Sequence, residues 1–229
     1  WSASSGPPAI TTKRETMTGR FIGLTLETRR AQAHHADFAR RAGSEQIASA
    51  FALSVLMGVL GKLRPRRILE VGSGIGTMTT ILTAQAEQVY VAEDNAWCQQ
   101  QMLAQVTQVW KIGTGLGYLH DLIVVDGDQV KPATALGLLK HRGWMLVEGN
   151  RRTWRAGLKY GYRPFTAVNL RPFDRSKGVW LLAFEPSDRL RLAFALERAW
   201  QGVLSLTARA WSVLTGARLY RGKRRQVTA

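Results

Sequence analysis

Apolar and polar stretches alternate along this chain in a rhythm that predicts its elements one by one. Residues 28–41 read as a polar helix ended by Gly43, and Ser44 as the cap of an apolar helix reaching Leu60. Gly61 and Pro65 separate that helix from a first strand at Ile68 and Leu69, after which residues 78–86 read as helix. Residues 88–92 form the second predicted strand, 95–105 a helix, and 106–112 a third strand leading into the glycine-rich 113–117. Leu122, Ile123, Val124 and Val125 are consecutive apolar residues bounded by polar turn residues, the pattern of a strand buried on both faces of a parallel sheet. Residues 132–140 follow as helix, 141–143 as a turn and 144–147 as a fifth strand. Two further strands, 165–170 and 179–184, are joined by 171–178 and close the sheet as an antiparallel pair.

This order predicts an α/β fold: a Rossmann-like, mostly parallel seven-stranded sheet with a C-terminal antiparallel hairpin and helices on both faces, extended by N-terminal helices and a C-terminal amphipathic helix. The expected divisions are a flexible leader and N-terminal helix at 1–43, the sheet domain at 44–186 and a basic amphipathic helical tail at 187–229. In the tail, Ser187 can cap a helix on which Leu192, Leu196, Trp200, Val203, Trp211 and Leu214 recur near helical spacing, among Arg189, Arg191, Arg198, Arg209 and Arg218. Such a stripe fits a membrane interface, a contact between copies of the chain, or packing on the domain, which is the preferred expectation.

Chemistry concentrates where strands end. Open α/β sheets bind ligands beyond the C-terminal ends of their strands, and Glu70, Glu93, Asp126 and Glu148 occupy four such ends. After Glu70, the run Val71-Gly72-Ser73-Gly74-Ile75-Gly76-Thr77 alternates glycines, which lets the backbone turn sharply and approach a ligand just ahead of a helix. This spacing differs from the G-x-G-x-x-G of dinucleotide-binding loops.

Residues 68–77, 91–95, 123–128 and 144–150 resemble the successive motifs of class I S-adenosylmethionine-dependent methyltransferases, nearest to the small catechol-type O-methyltransferases. The resemblance covers residues 44–185. It implies S-adenosyl-L-methionine as cofactor, with Gly72, Ser73, Gly74, Gly76 and Thr77 along its methionyl part near Glu70. It also implies that Glu93 holds the ribose hydroxyls, with Asp94 as the alternative. A carboxylate can accept two hydrogen bonds from a vicinal diol, and an ionised Glu70 would favour a cationic sulfonium. The implied reaction is in-line methyl transfer to an oxygen of a small, glycan-like or lipid-linked acceptor, with Asp126 first and Glu148 second as candidate general bases. Catechol-type members hold magnesium through an acid after the fourth strand and an Asp-Asn pair after the fifth. Here Glu148-Gly149-Asn150 replaces that pair and disturbs the octahedral oxygen set magnesium requires, so no metal ligand is assigned. The alternatives are an RNA methyltransferase and a catalytically inactive methyltransferase-like module that binds nucleic acid or membrane.

Charge bears on the acceptor. Residues 1–150 hold 15 Lys and Arg against 12 Asp and Glu, whereas residues 151–229 hold 17 against 4, so most of the net +16 lies in the last third. An anionic partner follows: the acceptor, a lipid surface or nucleic acid. Arg151, Arg152 and Arg155 are expected beside the mouth of the site, positioning an anionic acceptor. Cys98 is the single cysteine, which excludes an internal disulfide and a Cys-based zinc site and fits a packed residue in a reducing compartment. With no signal segment recognised, the expected location is cytoplasmic, peripheral at the membrane if the tail binds lipid. His34, His35, His120 and His141 read as structural or solvated, the last two at the N-terminal ends of strands.

Overall fold

The computed structural model describes residue 20 and residues 22–106, 110–111, 119–149, 152–159, 164–170 and 178–214. In chain order, α1 (Thr28–Phe38) leads through a 3-10 turn (Ser44–Gln46) to α2 (Ala50–Leu63) and β1 (Arg67–Val71). Then come α3 (Thr79–Thr83), β2 (Gln88–Ala92), α4 (Ala96–Leu103), β3 (Trp110–Lys111), β4 (His120–Val125) and α5 (Pro132–Gly137). The chain continues with β5 (Leu139–Glu148), α6 (Arg152–Lys159), β6 (Phe165–Leu170), β7 (Val179–Phe184) and α7 (Asp188–Leu214). The strands form the expected seven-stranded sheet, in the order β3-β2-β1-β4-β5-β7-β6. The first five are parallel, and β7 runs antiparallel between β5 and β6. Strand order reverses between β1 and β4, which makes that junction the place where an open sheet of this kind leaves a crevice.

Successive residues of the central strands serve opposite layers, so β4 must be apolar throughout. Leu122 and Val124 join the cluster built on α2, while Ile123 and Val125 join Leu136, Trp154 and Leu158 on the other face. Each side chain buried this way contributes about 1.5–3 kcal/mol. Nine consecutive residues of α2, from Ala52 to Leu60, are buried, which explains the long uncharged run around them. Among the described residues no helix is long and apolar enough to cross a membrane.

Two expectations need correction. Ser44 heads only the 3-10 turn; the cap of α2 is Ser49, whose side chain accepts from Ala52 N at 3.2 Å. Residues 141–143 are not a turn between helix and strand, because α5 stops at Gly137 and β5 begins at Leu139. The register with β4 jumps from His120↔Leu139 to Leu122↔Trp144, and Arg142 takes a φ of 58° within the resulting bulge. Exposed polar residues in a bulge carry the same sequence signature as a loop. Of the third predicted strand, Trp110–Lys111 lies among the described residues and is strand. The leader at 1–19 and the loops at 113–117 and 171–177 lie outside the described residues.

The divisions drawn at 43 and 186 do not separate cores. One cluster runs from Ile22, Leu24 and Ala31 through α2 and the sheet to Phe194 of α7. Phe194 is fully buried with its ring tilted on Trp144, centroids 5.5 Å apart. Four residues on, Arg198 Nη1 donates to Thr166 Oγ1 at 3.1 Å and to the Ala167 carbonyl at 2.9 Å. The first half of the tail helix therefore packs on the sheet; residues 215–229 lie outside the described residues. His120 is buried edge-on to Tyr90, and that burial pushes its pKa down to about 4. His120 and His141, the latter paired with Glu185, both lie far from the C-terminal strand ends.

Candidate active site at the switch point

Gly72, Gly74 and Gly76 all adopt left-handed φ values, of 80°, 52° and 93°. The backbone after β1 thereby folds back on itself instead of continuing the strand, a conformation that costs other residues about 1–2 kcal/mol each. Gly72 N donates to the Ala92 carbonyl at the end of β2, and a Cβ on Gly72 would lie 2.5 Å from Gly127 N. The loops after β1, β2 and β4 thus meet at one point. A Cβ on Gly74 would collide with the Gln46 carbonyl, so the 3-10 turn closes over the loop from the N-terminal side. Phe38, Ile75 and Cys98 pack together with Ile47 there, tying α1, the turn, the glycine loop and α4 into one unit. Cys98 is a packed residue, as expected.

Glu93 is built into this junction. Its Oε2 accepts from Gly74 N at 2.9 Å and its Oε1 from Asn95 N at 2.9 Å. Ser73 Oγ also donates to Oε2, at 3.5 Å, and since a carboxylate has about four acceptor positions Oε1 keeps capacity after these bonds. Asp94 is exposed, and Gln129 Nε2 donates to it at 3.4 Å. Of the two acids, Glu93 touches the glycine loop. Thr77, at 1% exposure, leaves its Oγ1 buried with no hydrogen-bond partner, while its carbonyl accepts from His34 Nε2 at 2.9 Å.

Glu70 is closed off at 1% exposure and accepts from Thr79 Oγ1 at 2.7 Å, which fastens the end of β1 to α3. Burial first, then the nearby charges of Asp126 and Glu93, push its pKa up to about 8 against the opposing Thr79 bond. At neutral pH the carboxyl is mostly protonated, so the attraction to a cation inferred from its sequence position is not what it supplies. Because the folded chain holds this proton more tightly than the unfolded one, stability present below the unfolded pKa, near 4.5, is lost as pH rises through 8. Between pH 7 and pH 9 the loss from this group is about 1 kcal/mol. Glu70→Gln should flatten that slope in urea unfolding at the two pH values.

Asp126 ends β4, half-buried, with its N–H on the Val71 carbonyl at 2.8 Å. Its neighbour in the loop, Asp128, accepts from Thr153 Oγ1 of α6 at 3.3 Å. Glu148 is 2% exposed, and its Oε1 accepts from Ser49 N at 2.9 Å. The sequence offered it as a second general base; the geometry gives it the task of holding the N-terminus of α2 against the end of β5. Among the described residues no group of three or more His, Cys, Asp or Glu is placed to hold a metal ion. Asn150 and Arg151, with the side chains of Arg152 and Arg155, lie outside what is described.

No family model matches the chain, and no curated protein matches it in sequence. Solved structures match in architecture. The O-methyltransferase TomG of Streptomyces achromogenes, involved in tomaymycin synthesis and solved with S-adenosylmethionine (SAM), aligns with a TM-score of 0.50 at 15% identity, covering 69% of this chain and 89% of that one. An O-methyltransferase of Bacillus cereus, in complex with SAH, gives 0.50 at 15%, covering 69% and 90%. The SAH-bound methyltransferase PaMTH1 of Podospora anserina gives 0.50 at 17%, covering 68% and 88%. The fold is that of the class I methyltransferases.

On this methyltransferase fold, the three glycines, Glu93 and Asp126 come together, and Glu148, which follows Val147 where it pairs with Val125, is held by Ser49 N. Sequence reasoning missed Gln46, Ser49, His34 and Gly127. All four act through backbone groups or close approach across 28 residues or more, as in Ser49 N to Glu148 and His34 to Thr77. Only Gly127 left a local trace, as a glycine directly after a strand-end acid.

Proposed function

We propose that this chain is a SAM-dependent methyltransferase that methylates an oxygen of a small, anionic, glycan-like or lipid-linked acceptor. The observation that carries the reading is the junction at the switch point: left-handed glycines let the loops after β1, β2 and β4 close on one another, and Gly74 N–H pins the Glu93 carboxylate there. In this reading Gly72, Ser73, Gly74, Gly76 and Thr77 line the methionyl end, with the orphaned Thr77 hydroxyl free to donate. Glu93 accepts from the ribose diol, and Asp94 stands outside. The cofactor supplies a methyl carbon made electrophilic by its sulfonium. The protein's own part is to hold the acceptor oxygen in line with that carbon and exclude water. Asp126, half-buried at the end of β4, takes the proton from the acceptor hydroxyl. Neither Glu70, which is tied to Thr79, nor Glu148, which is tied to Ser49, is given a proton-transfer role.

Calorimetric titration with SAH tests the first half: no binding supports the non-enzymatic reading of a methyltransferase-like module. Methyl transfer to a panel of hydroxylated anionic acceptors tests the second. Asp126→Asn should lower turnover about a hundredfold, the lower range for a lost general base, with SAH affinity within about twofold of native. The excess of 17 basic over 4 acidic residues at 151–229 favours one second reading, RNA as acceptor. RNA binding that falls steeply as salt rises, together with methyl incorporation into RNA, would replace the small acceptor.

A further inference from the structure

Among the described side chains of α7, Leu192, Leu196, Val203 and Leu206 are the large apolar residues left to solvent, at 61%, 45%, 49% and 65% exposure. Their intervals of four, seven and three residues set them on one side of a 3.6-residue helix. Leu190, Phe194 and Glu197 occupy the opposite side and pack inward. Single exposed leucines are ordinary, but four in register on one helix form a patch of the kind that marks an interaction surface.

The flanks of the patch are basic. Arg189 and Arg191 are exposed, while Arg198 is engaged on the edge of β6. Residues 187–229 hold nine Lys and Arg against the two acids Asp188 and Glu197, and Glu197 is buried. The helix also has a direction. It starts after β7 at the N-terminal end of β5, and its Arg198 stands level with Thr166 and Ala167. Gln201 and Gly202 then line a groove with Asn169 and Trp180 near the end of β6. From Arg198 the helix still has roughly 24 Å to run to Leu214 at 1.5 Å per residue, whereas β6 has roughly 10 Å left beyond Ala167. The last turns therefore pass the C-terminal strand ends, on the side where the site opens.

We propose that the outer face of α7 docks on an anionic lipid bilayer, with its four apolar side chains at the acyl boundary and its arginines among the headgroup phosphates. Charge selects this occupant. A second copy of the chain would bring two strongly basic helices face to face, whereas an anionic leaflet attracts each basic residue near its surface. A nucleic acid would use the arginines but leave the leucine stripe without a role. The inference does not depend on methyl transfer; if both hold, docking would bring the site's mouth toward the bilayer, within reach of a lipid-linked acceptor.

Vesicle flotation of the full chain tests it, with phosphatidylcholine alone or with phosphatidylglycerol added. The chain should float with the anionic vesicles only, and less at high salt. Leu192→Gln, Leu196→Gln, Val203→Gln and Leu206→Gln combined should lower partitioning about tenfold or more, while thermal unfolding and SAH binding stay native because these side chains are exposed. Truncation at 186 would be a poorer control, since it strips Phe194 from Trp144. Failure of the native chain to float with anionic vesicles overturns the proposal, and so does equal flotation of native and quadruple variant, which would reduce binding to charge alone. A dimer in sedimentation velocity that the quadruple variant dissolves, without flotation, would assign the face to self-contact instead.

Discussion

Glu93→Ala should weaken SAH binding about a hundredfold in isothermal titration calorimetry, as expected when two charge-assisted hydrogen bonds are lost at about 1.5 kcal/mol each. The same substitution also removes the acceptor of Gly74 N and Asn95 N, so the cradle loosens along with the ribose contacts. Glu93→Gln separates the two effects: its amide keeps one carbonyl acceptor for the loop but offers the diol a neutral group. An intermediate affinity, about tenfold weaker than native, is the expected result for that variant. Asp94→Ala should stay within about threefold of native, because an exposed group away from the loop contributes little. The reverse ranking, with Asp94→Ala the more damaging, would transfer the sugar-binding role to Asp94. Thermal unfolding of each variant shows whether the loop itself has collapsed.

Gly72→Ala should destabilise the fold by about 3 kcal/mol, through left-handed strain and backbone collision acting together. Its Cβ would lie 2.5 Å from Gly127 N and 2.9 Å from the Asp126 carbonyl carbon, and both are main-chain atoms that cannot rotate away. At this chain length the expected fall in Tm is roughly 6–12 °C. Gly76→Ala should cost less, about 1–2 kcal/mol, since its Cβ would meet the Met102 side chain at 3.2 Å, which can shift. Gly137→Ala serves as the control. Nothing lies within 4 Å of its Cβ position and it ends α5, so it should be neutral or stabilise by about 0.5 kcal/mol. Calorimetric unfolding that ranks Gly72→Ala with Gly137→Ala would refute the close approach of the β1 and β4 loops.

The sheet was legible because its strands are buried on both faces. Leu122 to Val125 can hardly be read otherwise, and the same pressure made β1, β2 and β7 visible, while β6 shows the alternating burial of an edge strand. The bulge at residues 140–143 was not legible, because a strand that departs from its partner exposes His141 and Arg142 as a loop would. Of the site, the glycines announced themselves through a backbone requirement that sequence spells out directly. Glu148 misled for the converse reason: its place at a strand end was read correctly, but its partner is the N–H of Ser49, ninety-nine residues earlier, and a backbone donor leaves no mark on residue type. Glu70 shows a third limit. Sequence gives the acid but not its solvation, and burial beneath α3 turns an expected charge into a mostly neutral group at pH 7.

The β6 margin of the sheet is guarded. Any open sheet presents unpaired peptide groups that can recruit a strand from another molecule. Here β6 is six residues long, and Arg198 already occupies the Ala167 carbonyl while α7 runs alongside. Removing Arg198 would cost more than one hydrogen bond: it would uncover a docking edge for polymerisation, and the resulting hazard would be aggregation on storage rather than unfolding.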